Sequence, residues 1–585
     1  MKDEIDGAAR RFVISGLSRL TVPVAKGLAA KGEVVVLAKL EQRDSPYARL
    51  LDSPGITIVY DDDCMRALRD SLTPQVECVL ALADDDKQNF YAAADCYELD
   101  PSIPVVLRTL DSTLADGFEQ IKDSLNVRRA YDMSALSAPA FVALALSDEE
   151  FIATEMTMRF GPDEIPLCRL KIHKGSALRR MTPRQLQLKR DCAVVARRGS
   201  DGTLRYSCSG DTDRLAIGDE VIIGGPLRQV FGTARCNSTQ FPPPKTRVSL
   251  MKRRLSATQW KLLKFAVPPV VILVVSIVVL RIAFELGVID ALYQMIVTAA
   301  GERILDEKSL ALKLFAFASI VAWAILGGIL VSFITDEVLE RRLGKRPDDL
   351  RDHAVVGGLG DVGYRVAKLL AEIDVPTVVV ASSDGRFGHY VDWDVPVLNG
   401  NIQLAEDLKQ AGIDRASCLI AVTTDDLVNI EACVQAERLN AERSKKNSRQ
   451  GIRTIARLFD EELDQRFNFK SNFGIDEVLP AVGVAAAAFI DAATNDDALR
   501  PFSVFGDPFV GLRYAVTGRL GREQIKQWTA QGMTLLAFRQ GTGEVKGPSG
   551  LPEDLHEGDS LIVVGPEHVV RALASVGRVE MSEPA

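Results

Sequence analysis

Three glycines, Gly358, Gly360 and Gly363, stand in G-x-G-x-x-G spacing within Ala354-Val-Val-Gly357-Gly358-Leu-Gly360-Asp361-Val-Gly363. Residues of this type in this order can hold a diphosphate. The first glycine allows a tight turn, the second lets backbone approach phosphate, and the third lets helix pack on strand. A helix opening at the turn presents free N–H groups and a positive dipole end to the anion. A ribose would be gripped at the end of the next strand. There Val378-Val-Val-Ala381-Ser382-Ser383-Asp384 places Ser382 where an acidic residue is usual, with Asp384 two residues on as a substitute. The same glycines also suit a domain that keeps them for packing and binds nothing.

A second, weaker copy of the turn lies near the N-terminus as Gly16-Leu-Ser18-Arg-Leu-Thr21. Two of its three glycines are replaced, and Ala38 followed by Lys39 stands at the next strand end. This copy is expected to be structural or to bind something other than a dinucleotide. The acidic runs Asp61-Asp-Asp63 and Asp84-Asp-Asp86 offer the oxygen ligands that calcium takes; runs of like charge at loop tips are more often simply solvated, and that is the favoured reading. Nine cysteines form no CxxC pair, and His173, His353, His389, His556 and His568 sit in no catalytic motif, so the chain is expected not to be an enzyme. The net charge of −9 argues against nucleic acid as a partner.

The elements that must position these turns repeat across the chain. Leu215-Ala-Ile-Gly218-Asp219 and Leu555-His-Glu-Gly558-Asp559 each precede an apolar strand. Val76-Glu-Cys-Val-Leu-Ala-Leu-Ala-Asp84 through Asn89 mirrors Ala416-Ser-Cys-Leu-Ile-Ala-Val-Thr-Thr424 through Asn429. Continuous apolar strands alternating with helical patterns predict α/β architecture: two doubly wound Rossmann-like modules, each with a small α+β lobe. The expected boundaries are 1–150 and 151–235 for the first module and lobe, and 236–254 for a linker containing Phe241-Pro-Pro-Pro-Lys245. A hairpin covers 255–345, and the second module and lobe cover 346–495 and 496–585.

Two apolar stretches, Phe265–Gly287 and Leu314–Ile334, are each long enough for a membrane-spanning helix. Basic residues flank them outside the hairpin far more densely than within it, and the N-terminus lacks a secretion signal. The expectation is an all-α, two-span hairpin in the cell membrane with both termini cytoplasmic. A short apolar run between the spans gives the layout of a cation-channel pore.

The second module resembles the RCK (TrkA-type) domain that regulates potassium channels and transporters. The resemblance rests on Gly358-x-Gly360-x-x-Gly363, Val397-Leu-Asn-Gly400-Asn401, Ala411-Gly-Ile413, and Thr423-Thr-Asp425-Asp426 through Asn429. It implies Asp361, Asn401, Thr423 and Thr424 beside the glycines at a nucleotide site. It also implies a homotetramer whose domains form a cytosolic ring that gates a pore on binding a small ligand. NAD, an adenine nucleotide, a cyclic dinucleotide or calcium are all open as that ligand. Where a potassium filter would read Thr-Val-Gly-Tyr-Gly, this chain reads Thr298-Ala299-Ala300-Gly301-Glu302, which resembles instead the CASTOR/POLLUX group. Gly327-Gly328 suits a gate hinge or close helix packing. The implied function is a ligand-gated cation channel, for potassium or less selective. The alternatives are a non-conducting, membrane-anchored regulatory subunit and an NAD-dependent oxidoreductase.

Overall fold

A computed structural model describes residues 10–109, 124–147, 151–160, 163–241, 350–382, 395–444, 451–459, 467–494, 499–541 and 543–570, with scattered residues between 267 and 332. Two compact units divide the chain: Met1–Pro243, Leu350–Ser382 and Asn399–Ala585 form one, Pro244–Asp349 and Ser383–Leu398 the other.

In the first unit, the N-terminal sheet comprises β1 (Arg11–Ser15), β2 (Glu33–Ala38), β3 (Ile56–Tyr60), β4 (Val76–Ala81), β5 (Val105–Thr109) and β6 (Val127–Asp132), ordered β3-β2-β1-β4-β5-β6. Its strands pair in parallel. The helices are α1 (Thr21–Ala29), α2 (Pro46–Leu50), α3 (Cys64–Ser71), α4 (Asp86–Leu99) and α5 (Met133–Leu146). Val34, Val35 and Val36 are all buried, as a strand covered on both faces requires. A small antiparallel lobe follows: β7 (Phe151–Phe160), β8 (Asp163–Lys171), α6 (Pro183–Arg190), β9 (Ala193–Arg198), β10 (Leu204–Tyr206), β11 (Glu220–Gly224) and α7 (Leu227–Asn237).

The second sheet repeats the first. It contains β12 (Ala354–Gly357), β13 (Thr377–Ala381), β14 (Val397–Asn399), β15 (Cys418–Ala421), β16 (Arg453–Leu458) and β17 (Glu477–Pro480), ordered β14-β13-β12-β15-β16-β17. Its helices are α8 (Asp361–Glu372), α9 (Ala405–Gln410), α10 (Asp426–Ser444), α11 (Phe469–Phe473) and α12 (Ala481–Thr494). The last lobe comprises β18 (Leu499–Val504), β19 (Asp507–Ala515), β20 (Leu520–Gly521), α13 (Arg522–Ala530), β21 (Thr534–Arg539), β22 (Asp554–Leu555) and β23 (Ser560–Pro566). Both Gly-Asp turns place glycine in the left-handed region, with φ of +89° at Gly218 and +90° at Gly558. In each turn the following carboxylate accepts from a nearby backbone N–H, Asp219 from Ala216 at 2.8 Å and Asp559 from His556 at 2.9 Å.

The two modules exchange their last helices. Helix α12 buries Ala485, Phe489 and Ala492 among Phe12, Leu20 and Leu28 of the first module. Phe489 meets Tyr131 edge-on, with ring centroids 5.3 Å apart. A Cβ on Gly27 would collide with Ile490, so the glycine in α1 is what lets α12 approach. Burying a side chain such as Phe489 stabilises by roughly 1.5–3 kcal/mol, and the contact makes the modules one folding unit. In return, α5 of the first module packs on α8 of the second. The two small lobes likewise share a core, Leu167, Val195 and Ile222 meeting Phe509, Leu536 and Ile562.

A half-buried carboxyl pair lies in the second module. Burial, and then the Asp476 charge, push Glu437 on α10 up to about 7 from an ordinary 4.5. The folded chain therefore holds a proton that the unfolded chain has released between those values. Stability contributed by this site is present at low pH and declines as pH rises through that window. Glu437→Gln is expected to flatten that decline in melting temperature between pH 5 and about 7; an unchanged pH profile would show that the pair is solvated.

The expected membrane hairpin is corrected. Among the described residues, no helix is long and apolar enough to cross a membrane. Two-span placement in the cell membrane is withdrawn with it. Thr298, Ala299, Ala300, Gly301 and Glu302 lie outside the described residues. Gly327 and Gly328 fall within the helical run 320–329, and among the described residues a Cβ on either would meet nothing within 4 Å.

Candidate functional site

The glycine turn joins β12 to α8, and its three glycines do three different things. Gly358 has φ of +101°, and a Cβ there would lie 3.1 Å from Thr423 Cγ2. A Cβ on Gly363 would collide with the Gly358 carbonyl oxygen, so this glycine lets the helix back onto the turn. Gly360 caps α8, and a Cβ on it would meet nothing within 4 Å. Packing thus explains the first and third glycines but not the second. The open face at Gly360 is the one a phosphate would approach, and no side chain caps the helix there.

Neighbouring strand ends are tied by one buried side chain. Asn429 Oδ1 accepts from Thr423 N at 2.8 Å and from Thr423 Oγ1 at 2.8 Å, while Nδ2 donates to Thr423 O at 3.2 Å and to Arg457 O at 3.0 Å. This holds the ends of β15 and β16 at a fixed separation beside the turn. Thr423 is half-buried and Thr424 exposed. Ser382 is exposed just past β13. Asn401 is exposed and occupied locally, its N–H donating to Asp407 at 2.7 Å and its Oδ1 accepting from Gln403 N at 3.0 Å. Asp361 begins α8. Asp384 lies outside the described residues.

Sequence reasoning missed a basic group at this turn. Arg457, at the end of β16, has its guanidinium carbon 4.0 Å from the Phe459 ring centroid, and Arg19 of the first module lies over the same ring at 4.7 Å. The Arg457 pKa is lowered to about 10, chiefly by burial; Asp426 and Asp361 oppose the shift and the nearby Arg19 charge adds to it. Its Nε is buried with no hydrogen-bond partner among the described residues. A desolvated cation near a helix N-terminus favours an anion. The available signal was the repeat itself: in the first module Asn89 makes the same bonds, accepting from Ala83 N at 2.8 Å and donating to Ala83 O at 2.9 Å and to Arg108 O at 3.0 Å. Arg108 therefore marks Arg457 as its counterpart.

The first module's turn is closed by its own side chains. Ser18 N donates to Thr21 Oγ1 at 3.0 Å, Thr21 Oγ1 to Gly16 O at 2.8 Å, and Ser18 Oγ to Leu82 O at 2.6 Å. Ser18 and Thr21 are fully buried, so the space and one of the donors that a phosphate needs are already used. The acidic runs are spent locally as well. Asp61 pairs with Arg66 at 2.6 Å, Asp63 caps α3 at Arg66 N, Asp84 pairs with Arg108 at 2.5 Å, and Asp85 caps α4 at Lys87 N. Among the described residues, no group of three metal-ligating side chains could hold an ion.

Two duplicated sheets in 3-2-1-4-5-6 order, each with a turn at its switch point, meet a matching comparison: the TrkA-N domain family covers residues 12–125 and 354–481. The chain carries two TrkA-N domains. A Trk system potassium uptake protein TrkA homolog of Archaeoglobus fulgidus is 33% identical over 87 residues, 15% of this chain and 20% of that protein. A Trk system potassium uptake protein trkA homolog 1 of Methanosarcina mazei is 31% identical over 148 residues, 25% of this chain and 35% of its own length. The matches thus span between a fifth and about a third of these relatives. Among solved structures, the GsuK RCK domain aligns over 98% of this chain and 96% of its own, at 14% identity and a TM-score of 0.44. Within the chain, the second TrkA-N domain keeps an open glycine turn and the first does not.

Proposed function

We propose that the chain is a regulatory module of monovalent cation transport, potassium foremost, whose second TrkA-N domain senses NAD or an adenine nucleotide. The observation that carries this reading is Gly360: open space at the uncapped start of α8, between two glycines already committed to packing. The diphosphate would rest on the α8 N–H groups, with Arg457 supplying positive charge nearby, and Ser382 would stand near the ribose. Potassium is favoured as the ion because the TrkA homologs that share this domain are potassium uptake proteins.

On this reading the nucleotide is an effector rather than a co-substrate. It acts by binding one arrangement of the exchanged modules better than another. A homotetrameric ring of such modules would sum those small preferences across subunits. Thermal melting with NAD, NADH, ADP and ATP tests the reading. A ligand at a hundred times its Kd should stabilise by about 2.7 kcal/mol, a clear rise in Tm. No rise with any of the four would reject nucleotide sensing.

A further inference from the structure

The closed turn of the first TrkA-N domain does not leave that domain without a cavity. Beyond the C-terminal ends of β1, β2 and β4 lies a space of about 450 Å³. That is within the range of small-molecule sites, and it sits at the topological switch point where open α/β sheets bind ligands. Its apolar walls include Leu17, Leu37, Ala38, Ala67, Tyr91 and Ala92. Its charged lining is mostly acidic: Glu41, Asp61, Asp84, Asp85 and Asp95 line it, with Lys39 the single basic residue among its lining. Arg66 and Arg108 answer Asp61 and Asp84, and carboxylates still remain in excess. Asp95, on α4, makes neither a hydrogen bond nor an ion pair among the described residues, and burial, Glu98 and Asp63 all raise its pKa.

Two independent features therefore reject an anion here. The phosphate cradle is filled by Ser18 and Thr21, and the wall carries surplus negative charge. The same wall suits a compact cation with an apolar body. A desolvated carboxylate gains most from a charged hydrogen-bond donor. The Tyr91 ring face also attracts cations, Lys87 Nζ lying 5.7 Å from its centroid. We propose that this cavity binds a small organic amine, giving the chain a cationic effector site in its first domain beside the nucleotide site in its second.

Titration calorimetry on the full chain tests this with putrescine, agmatine and tyramine as probes, and AMP as the anionic control. At least one amine is expected to bind at millimolar concentration or better, and AMP not to bind the Gly360→Asp chain, in which the second domain's nucleotide site is blocked. Asp95→Asn should weaken the amine about tenfold, the size of one lost charge-assisted contact, as should Glu41→Gln. Gly360→Asp should leave amine binding unchanged, which separates this proposal from the nucleotide reading. Absence of binding by all three amines at about 5 mM overturns it, as does amine binding that both substitutions leave intact.

Discussion

Gly360→Asp is expected to abolish nucleotide binding while leaving the fold intact. At Gly360 a new Cβ has free space, and its φ of −77° is one that any residue adopts. Little strain therefore opposes the substitution. The added carboxylate would occupy the α8 N-terminus, where it satisfies the free N–H groups and gains from the helix dipole. It thus competes for the contacts a diphosphate would use, and repels the diphosphate as well. The expected loss is on the order of 100-fold or more in affinity, about 3 kcal/mol, with an unchanged or slightly raised melting temperature in the absence of ligand. Gly363→Ala serves as the contrast: its collision is with the Gly358 carbonyl, so stability falls with it. Wild-type affinity in Gly360→Asp would refute the glycine-turn site.

Asp132→Ala is expected to be the most destabilising single change at the join between the modules. Asp132 ends β6 and is 5% exposed. Its Oδ1 accepts from Ser134 N at 2.7 Å and Ser134 Oγ at 2.6 Å, capping α5. Its Oδ2 accepts from Arg365 Nη2 at 2.6 Å, and Arg365 Nε donates to Ser134 Oγ at 2.7 Å. Arg365 lies on α8, so one carboxylate ties the last helix of the first domain to the glycine-turn helix of the second. Breaking a buried pair costs roughly 3–5 kcal/mol and losing a cap about 1. Because the Arg365 side chain keeps 28% of its exposure, water recovers part of that, and about 2–4 kcal/mol is expected in urea unfolding. Asp132→Asn, which keeps a capping oxygen but loses the charge, should cost less. A loss under about 0.5 kcal/mol for the alanine variant would show that α5 and α8 are held by apolar packing alone.

What was legible in the sequence was local. Apolar runs at Val34–Val36 and Val378–Val380 announce covered parallel strands, and Gly218-Asp219 and Gly558-Asp559 mark the same turn in both lobes because left-handed backbone needs glycine. The repeated Asn89 and Asn429 were visible as a pattern, although not as the bonds that tie neighbouring strands. Pairings chosen by tertiary contact were not legible. Nothing near Phe489 says that it packs beneath Phe12, and nothing near Arg19 says that it meets Phe459. The apolar stretches at 265–287 and 314–334 have the length and hydropathy of spans, yet no helix among the described residues is long and apolar enough to cross a membrane. The first turn misled differently: its lost glycines were silent about the cavity beside it.

Two TrkA-N domains with unequal turns lead to a definite count. Titration of the full chain with the nucleotide that melts highest should give one site per chain, and Gly360→Asp should bring that number to zero. Two sites per chain, or one site that persists in Gly360→Asp, would contradict the assignment of nucleotide sensing to the second domain's turn.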